Sequence, residues 1–335
     1  MSGDEVPEDR YGNSPLLGPH VVGQRVVVRR LVRGETGPTG GPAMTDVLGV
    51  CESWADGVVV VRREQGDVVT IDTADIVSGK PVPPRPTRYR HLDPVTADRL
   101  ALPGWQPVES EPLGDWVLRA SGGFSSRGNS VLALGDPGLP LSEAVEHVAG
   151  WYRTRGLEPR AHVHLDGDIA PAFADAGWTS YDPTLLMLAG VSRVLRRLGR
   201  PPGVEVEHHG RVDDAWLASD GRAARYGEAA RQVLATGEVT LATVRDEHGQ
   251  VLARGRGASH GDWVGVSSLW TREDVRRTGL GSAVLRSLLE WGSERGATTT
   301  YLQVVLANVT AQELYQAHGY EVHHRYDYLV LDLGP

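Results

Sequence analysis

Two arginines and two glycines stand just ahead of an apolar, helix-patterned run in "VRRTGLGSAVLRSLLEW", residues 275–291. The first N–H groups of a helix have no intrahelical partner and carry partial positive charge. Gly279 and Gly281 remove the side chains that would keep a ligand from those amides. Arg276 and Arg277 add full charge and forked donors. Together they form an anion cradle suited to a diphosphate. Taken alone, the stretch reads equally as a capped helix with surface arginines, because short glycine motifs often match by chance. Other phosphate motifs fit worse. A P-loop needs a lysine that is absent here, and a dinucleotide fingerprint needs a third glycine where Val284 stands.

The elements that must hold the loop can be read around it. Leu280, Val284, Leu285, Leu288 and Leu289 share one helix face, spaced for burial against a sheet. "DWVGVSSLWT" precedes the loop as a strand. "TTYLQVVLAN" follows as a buried strand, then the helix "AQELYQAHG" and a last strand, "YDYLVLDL". Upstream, "VEVEHH" is a strand, "DDAWLASDGRAARYGEAARQVLAT" is helical in composition, and "EVTLATVRDEHGQVLARGRGA" is a hairpin turning at His248-Gly249.

An internal repeat organises the longer chain. "WYRTRGLEPRAHVHLDGDIAPAFADAGW" aligns with "WGSERGATTTYLQVVLANVTAQELYQAHGY". Trp151 matches Trp291 and Gly156 matches Gly296. After two extra residues in the second copy, Phe173 matches Tyr315, Gly177 matches Gly319 and Trp178 matches Tyr320. The first copy's counterpart of the arginine-glycine loop is "LGDPGLPLS", which has no arginine, so one ligand site per chain is expected. Its helix "LSEAVEHVAGWYRTRG" has Ser142 as the expected N-cap and Gly156 as C-cap.

With both copies placed, residues 204–335 resemble a GNAT-superfamily N-acetyltransferase. Arg276–Gly281 matches that family's Q/R-x-x-G-x-G/A loop, and Asn308–Tyr320 matches its N-x-x-A-x-x-L-Y-x-x-x-G-F/Y segment, in the same order. The resemblance implies acetyl-CoA as cosubstrate and an amine as acceptor. It implies cofactor contacts at Leu269, Trp270, Thr271, Arg276, Arg277, Thr278, Gly279, Leu280, Gly281, Ser282 and Asn308, with a backbone N–H of 269–271 serving the oxyanion. It places Tyr315 as the acid that protonates the CoA thiolate. From the residues alone, Tyr315 has a second reading as a packing residue beside Ala311, Leu314 and His318, and Asn308 as a turn residue. Thr310 and Glu313 have capping-box spacing, and Gly319 suits a helix C-cap. In outline the whole chain is similar to actinobacterial GNAT-like proteins with a small N-terminal barrel.

The general base is not legible. "DWVGVSSLW" has no interior acid, only Asp262 at its start, and Glu228 and Glu238 are weak candidates. This departure keeps open a second reading, an acyl-CoA-binding regulatory module without turnover. Arg127, Asn129 and Ser130 in "FSSRGNS" are candidates to line the acceptor pocket, or a polar turn. His162, His164 and Asp166 alternate on one strand. A metal needs three or four converging ligands, so a polar strand face is the reading and no metal is expected.

The expected fold is α/β (α+β): tandem GNAT-like mixed sheets flanked by helices, preceded by a small all-β SH3-like barrel. The divisions are a tail over 1–19, a barrel over 20–80, a Pro-rich linker over 81–92, a degenerate GNAT-like half over 93–190, a linker over 191–203, and the N-acetyltransferase domain over 204–335. The Val-rich runs "RVVVRRLV", "DVLGVCESW", "GVVVVRRE" and "DVVTID" carry the barrel. At 335 residues with net charge −9, the chain has no broad electrostatic grip on nucleic acid. One cysteine fits a reducing cytoplasm, and no apolar stretch is long enough to span a bilayer.

Overall fold

The computed structural model describes residues 17–37, 40–63, 66–82, 88–199 and 203–332. They divide into two compact units, Met1–Thr87 and Arg88–Pro335.

The first unit is five strands: β1 (Arg25–Thr36), β2 (Pro42–Ala55), β3 (Val58–Arg63), β4 (Val68–Asp72) and β5 (Ile76–Pro81). They form one antiparallel sheet in the order β4-β3-β2-β1-β5. Period-two alternation puts Val26, Val28, Val47, Cys51, Val59, Val61 and Ile71 into one core. The Cys51 thiol is buried there, and burial raises its pKa. Of the expected tail, residues 1–16 lie outside the described residues. Its end is ordered, since Pro19–Val21 form a 3-10 turn that buries Val21. Of the expected linker over 81–92, residues 83–87 lie outside the described residues, and Arg88–His91 form a 3-10 turn that buries Tyr89 in the second unit.

The second unit runs α1 (Pro94–Ala101), β6 (Glu109–Leu113), β7 (Trp116–Ala120), β8 (Val131–Leu132), α2 (Leu141–Arg153), β9 (Arg160–Val163), α3 (Ile169–Asp175), β10 (Thr179–Gly190), α4 (Val191–Leu198), β11 (Glu207–His209), α5 (Asp214–Ala218), α6 (Gly221–Ala235), β12 (Glu238–Arg245), β13 (Val251–His260), β14 (Trp263–Thr271), α7 (Leu280–Glu294), β15 (Thr299–Val305), α8 (Val309–Ala317) and β16 (Glu321–Val330). One 11-stranded sheet takes the order β11-β12-β13-β14-β15-β10-β16-β9-β8-β7-β6. Its two parallel pairs are β8 with β9 and β14 with β15.

The repeat is visible in side chains. Arg155 lies over the Trp151 ring at 3.6 Å and reaches Glu109 at the start of β6. Arg295 lies over the Trp291 ring at 4.2 Å and reaches Glu238 at the start of β12. Gly156 and Gly296 both end their helices at positive φ, 63° and 88°.

The two copies are not separate domains, which corrects the boundary expected at 191–203. β10 closes the first copy in sequence but pairs with β15 of the second. β16 closes the second copy but pairs with β9 of the first. The last strands are exchanged, and one sheet results. The expected linker holds α4, because Val191 and Val194, spaced i and i+3, are buried in the second copy's core. Arg193 on α4 pairs with Glu321 at 2.5 Å.

Helix starts also differ from the sequence reading. α2 begins at Leu141 after Pro140, with no side-chain cap, so Ser142 is not the N-cap. The helical stretch before β12 is broken because it holds two N-caps. Asp213 accepts from Trp216 N at 2.7 Å, and Asp220 accepts from Ala223 N at 3.0 Å. At α8 the cap is Asn308, which accepts from Ala311 N at 3.2 Å, and this displaces the Thr310–Glu313 capping box.

Candidate active site

The site is built where β14 and β15 part. Their parallel pairing covers Trp263–Gly265 against Thr299–Tyr301 and goes no further. Tyr301 packs its ring over Gly265, its partner in the last pair. A Cβ on Gly265 would fall 2.5 Å from its ring and hydroxyl, so only glycine admits the ring there. Beyond this point β14 bonds only to β13 on its other side, and its backbone toward β15 is left unpaired.

A bulge aims that backbone. Arg254 pairs with Trp270 and Arg256 with Ser267, so two residues of β14 oppose one of β13. Ser268 sits at φ 54°, a left-handed conformation uncommon for serine. Arg254 holds it, donating to Ser268 O at 2.6 Å. The guanidinium is buried against Trp216 and Trp270 and pairs with Asp220 at 3.0 Å. Arg256, also buried, donates to Leu234 O, Gly104 O and Thr236 O, which ties α6 and the 3-10 turn Leu102–Trp105 to β13. Burial lowers its pKa to about 10, so it stays charged at neutral pH. Sequence reading passed over both arginines, since nothing in a strand pattern marks a buried cation.

The mouth of α7 lies just after β14. Gly279 is the N-cap at φ 92° and offers no side-chain cap. The amides of Leu280, Gly281 and Ser282 therefore lack a capping side chain. Gly281 lets Thr271 approach, because a Cβ there would stand 3.1 Å from its hydroxyl. Thr278 turns its hydroxyl to Val275 O at 2.7 Å. Arg276 donates to Thr271 O at 3.3 Å, and exposed Arg277 has no ion pair among the described residues. Val284, Leu285, Leu288 and Leu289 are buried against the sheet as expected, each burial stabilising by about 1.5–3 kcal/mol, and Leu280 packs partly against them.

Leu269, Leu280 and Tyr315 of α8 are each partly buried against the same large apolar cluster. Tyr315 is half-buried, edge-on to Tyr320 with ring centroids 5.7 Å apart. Its hydroxyl has no hydrogen-bond partner among the described residues, and burial pushes its pKa up to about 12. Asn308 spends its side-chain oxygen on the α8 cap.

Next to the gap is a cavity of about 230 Å³. Ser267 and Ser268 of β14, Asp182 of β10, Arg127, Asp220 and Tyr326 line it among others. Asp182 is half-buried and has no ion pair among the described residues. Arg127 stacks on Trp105 at 4.9 Å, and its Nε has no partner. Of the "FSSRGNS" candidates only Arg127 lines the cavity. Asn129 is buried and staples its loop through Ser121 N, Gly123 N and Phe124 O. Ser130 binds Arg119. The weak base candidates lie elsewhere: Glu238 pairs with Arg295, Asp262 accepts from Thr298 backbone and side chain, and Glu228 does not line the cavity. Asp182 was missed because it belongs to the first copy by sequence, and only the strand exchange brings it beside β15.

The comparisons follow this geometry. The family described as "Probable histone acetyltransferase Rv0428c C-terminal" matches residues 90–329. The family described as "Rv0428c N-terminal Sm-like domain" matches residues 20–80. The chain is 26% identical over 318 residues to "Probable histone acetyltransferase Rv0428c" of Mycobacterium tuberculosis, covering 92% of this chain and 95% of that one. It is 23% identical over 231 residues to "Uncharacterized N-acetyltransferase YobR" of Bacillus subtilis, covering 67% and 92%. A GCN5-related N-acetyltransferase from Kribbella flavida shares the fold, with a TM-score of 0.51 at 17% identity over 75% of this chain and 98% of that one.

Proposed function

Because the chain belongs to the Rv0428c acetyltransferase family and is an N-acetyltransferase of GNAT fold, we propose that it takes the acetyl group from acetyl-CoA and delivers it to a primary amine by direct attack on the thioester. The observation that carries this reading is the parting of β14 from β15 beside the uncapped mouth of α7. In the proposal the diphosphate rests on the amides of 280–282, with Arg276 and Arg277 adding charge. The pantetheine arm adds to the unpaired edge at Leu269, Trp270 and Thr271 as an extra strand would. Thr278, Gly279 and Gly281 shape the turn, and Asn308, through its remaining amide N–H groups, meets the arm.

The acceptor amine must be neutral to attack. Asp182, in the cavity wall with no ion pair among the described residues, is the group proposed to hold the ammonium and draw off its proton. A backbone N–H of the bulge serves the oxyanion. Tyr315 then protonates the departing thiolate. Burial pushes its pKa up to about 12, so the phenol carries its proton at neutral pH. Arg127 across the cavity suits an acceptor that bears an anionic group near its amine.

The test is CoA release, followed with a thiol reagent, across a panel of amines. Because one relative is named a probable histone acetyltransferase, lysine peptides belong in the panel beside amino acids and polyamines. Release with at least one amine is expected. Tight acetyl-CoA binding with no release for any amine would favour the second reading, a binding module, which Asn308 and Arg277 would satisfy equally well.

A further inference from the structure

Asp98 of α1 is buried, with 2% of its side chain exposed, and three histidines converge on one of its oxygens. His162 Nε2 lies 3.0 Å from Asp98 Oδ2, His164 Nε2 2.7 Å and His324 Nε2 3.2 Å. The four side chains come from three elements: α1, the strand β9 with the residue after it, and β16. The expectation of a polar strand face at His162, His164 and Asp166 is thus corrected in part. Asp166 is exposed and takes no part; Asp98, distant in sequence, joins His162 and His164, their ligand atoms all within 4.8 Å of one another, and His324 reaches the same Asp98 oxygen.

Hydrogen-bond directions show that neutral histidines alone do not satisfy this cluster. His323 Nε2 lies 3.0 Å from Leu92 O, and a carbonyl only accepts, so this nitrogen carries the proton. In neutral His323 the other nitrogen is then an acceptor. His324 Nδ1 lies 2.8 Å from it and must donate. That leaves His324 Nε2 with a bare lone pair facing the carboxylate oxygen of Asp98. Two lone pairs at 3.2 Å repel unless a cation lies between them. The second oxygen, Asp98 Oδ1, is buried and has no partner. A buried carboxylate with one orphaned oxygen and one repulsive contact is costly unless something positive sits beside that oxygen, among the histidine nitrogens.

We propose that this point is a zinc-class metal site, with His162, His164, His324 and Asp98 as its four ligands. Neutral imidazole nitrogens and one carboxylate oxygen are the donors such a cation takes, at about 2.0–2.2 Å in tetrahedral geometry. Calcium and magnesium prefer oxygen ligands, so three imidazoles argue against them. His323 supplies the outer partner that orients His324, and Leu92 O orients His323 in turn. Four protein ligands close the site, so its role is structural rather than catalytic. The ion would pin α1 to a strand from each copy of the repeat. The turn after α1 carries Trp105, which lines the cavity, so the pin also fixes one wall of the active site.

The experiment uses the untagged full chain. Protein is stripped with a chelator, reloaded with Zn²⁺ or Co²⁺, and desalted. The proposal expects one tightly held zinc per chain, a rise in melting temperature on reloading, and the visible bands of tetrahedral Co²⁺. His164→Ala and His324→Gln should each lose the Co²⁺ bands, while His147→Ala, an exposed histidine on α2, should keep them. If the variants fail to fold, the wild-type Co²⁺ spectrum and zinc count still decide. No retained zinc, octahedral Co²⁺ bands only, or a melting temperature indifferent to zinc and chelator would overturn the site and leave a proton as the shared cation.

Discussion

The two copies of the repeat have the same frame and opposite helix mouths. In the second, β14 and β15 part after Gly265, and the gap opens onto a cavity of about 230 Å³. In the first, the pairing of β8 with β9 continues through Ala133 N to His162 O at 3.1 Å. The cavity bordering Leu132 and His162 is about 10 Å³, and Asp98 of α1 lines it. The α7 mouth has Arg276, Arg277 and Gly279, whereas the α2 mouth has Pro140 and Asp136, whose carboxylate accepts from Gly138 N at 2.8 Å. An acidic group at a helix mouth disfavours an anion, whereas arginines there favour one. Phe173 stands where Tyr315 stands and is buried, stacked on Trp116 and edge-on to Trp178. The comparison teaches that a duplicated frame kept its packing in both copies, and parted strands beside an uncapped, arginine-flanked helix mouth in one.

Four changes break or sharpen that difference. Tyr315→Phe makes the second copy resemble the first at the proposed acid and should cut turnover about 10²-fold or more with acetyl-CoA affinity unchanged. An equal rate would return Tyr315 to a packing role. Replacing Arg276 and Arg277 together by alanine should weaken acetyl-CoA binding by roughly 10–100-fold, since each charged hydrogen bond contributes about 1.5–3 kcal/mol before solvent screening. Asp182→Asn should raise the KM for the amine by about tenfold, leaving acetyl-CoA affinity alone. Asp136→Ala, at the first copy's mouth, should shift acetyl-CoA binding by less than about 0.5 kcal/mol.

The pH profile carries a further expectation. Burial pushes Tyr315 from the usual 10.0 to about 12. An acid must be protonated to act, so turnover should not fall as pH passes 10.0 on its account. A decline there that disappears in Tyr315→Phe would contradict the shift.

Much of this was legible because it was local. The α7 face, the Arg276–Gly281 loop, the turn at His248-Gly249 and the repeat all follow from spacings within a few dozen residues. Cap chemistry was half legible: Gly319 ends α8 at φ 98° as expected, but Asn308 rather than Thr310 begins it. What escaped was long-range. The exchange of β10 and β16 leaves no local mark, since each strand is buried whichever copy it joins. Asp182, Asp98 and His324 acquire their surroundings only through that exchange and through α1. Arg254 and Arg256 look like surface residues of a hairpin until the bulge at Ser268 and the C-terminal end of α6 require a buried donor.

The most direct test of a single cofactor site in the second copy is calorimetric titration with acetyl-CoA. The wild-type chain should bind one molecule, Asp136→Ala should match it, and the Arg276→Ala, Arg277→Ala double variant should bind far more weakly. Two molecules per wild-type chain, or unchanged affinity in the double variant, would contradict it.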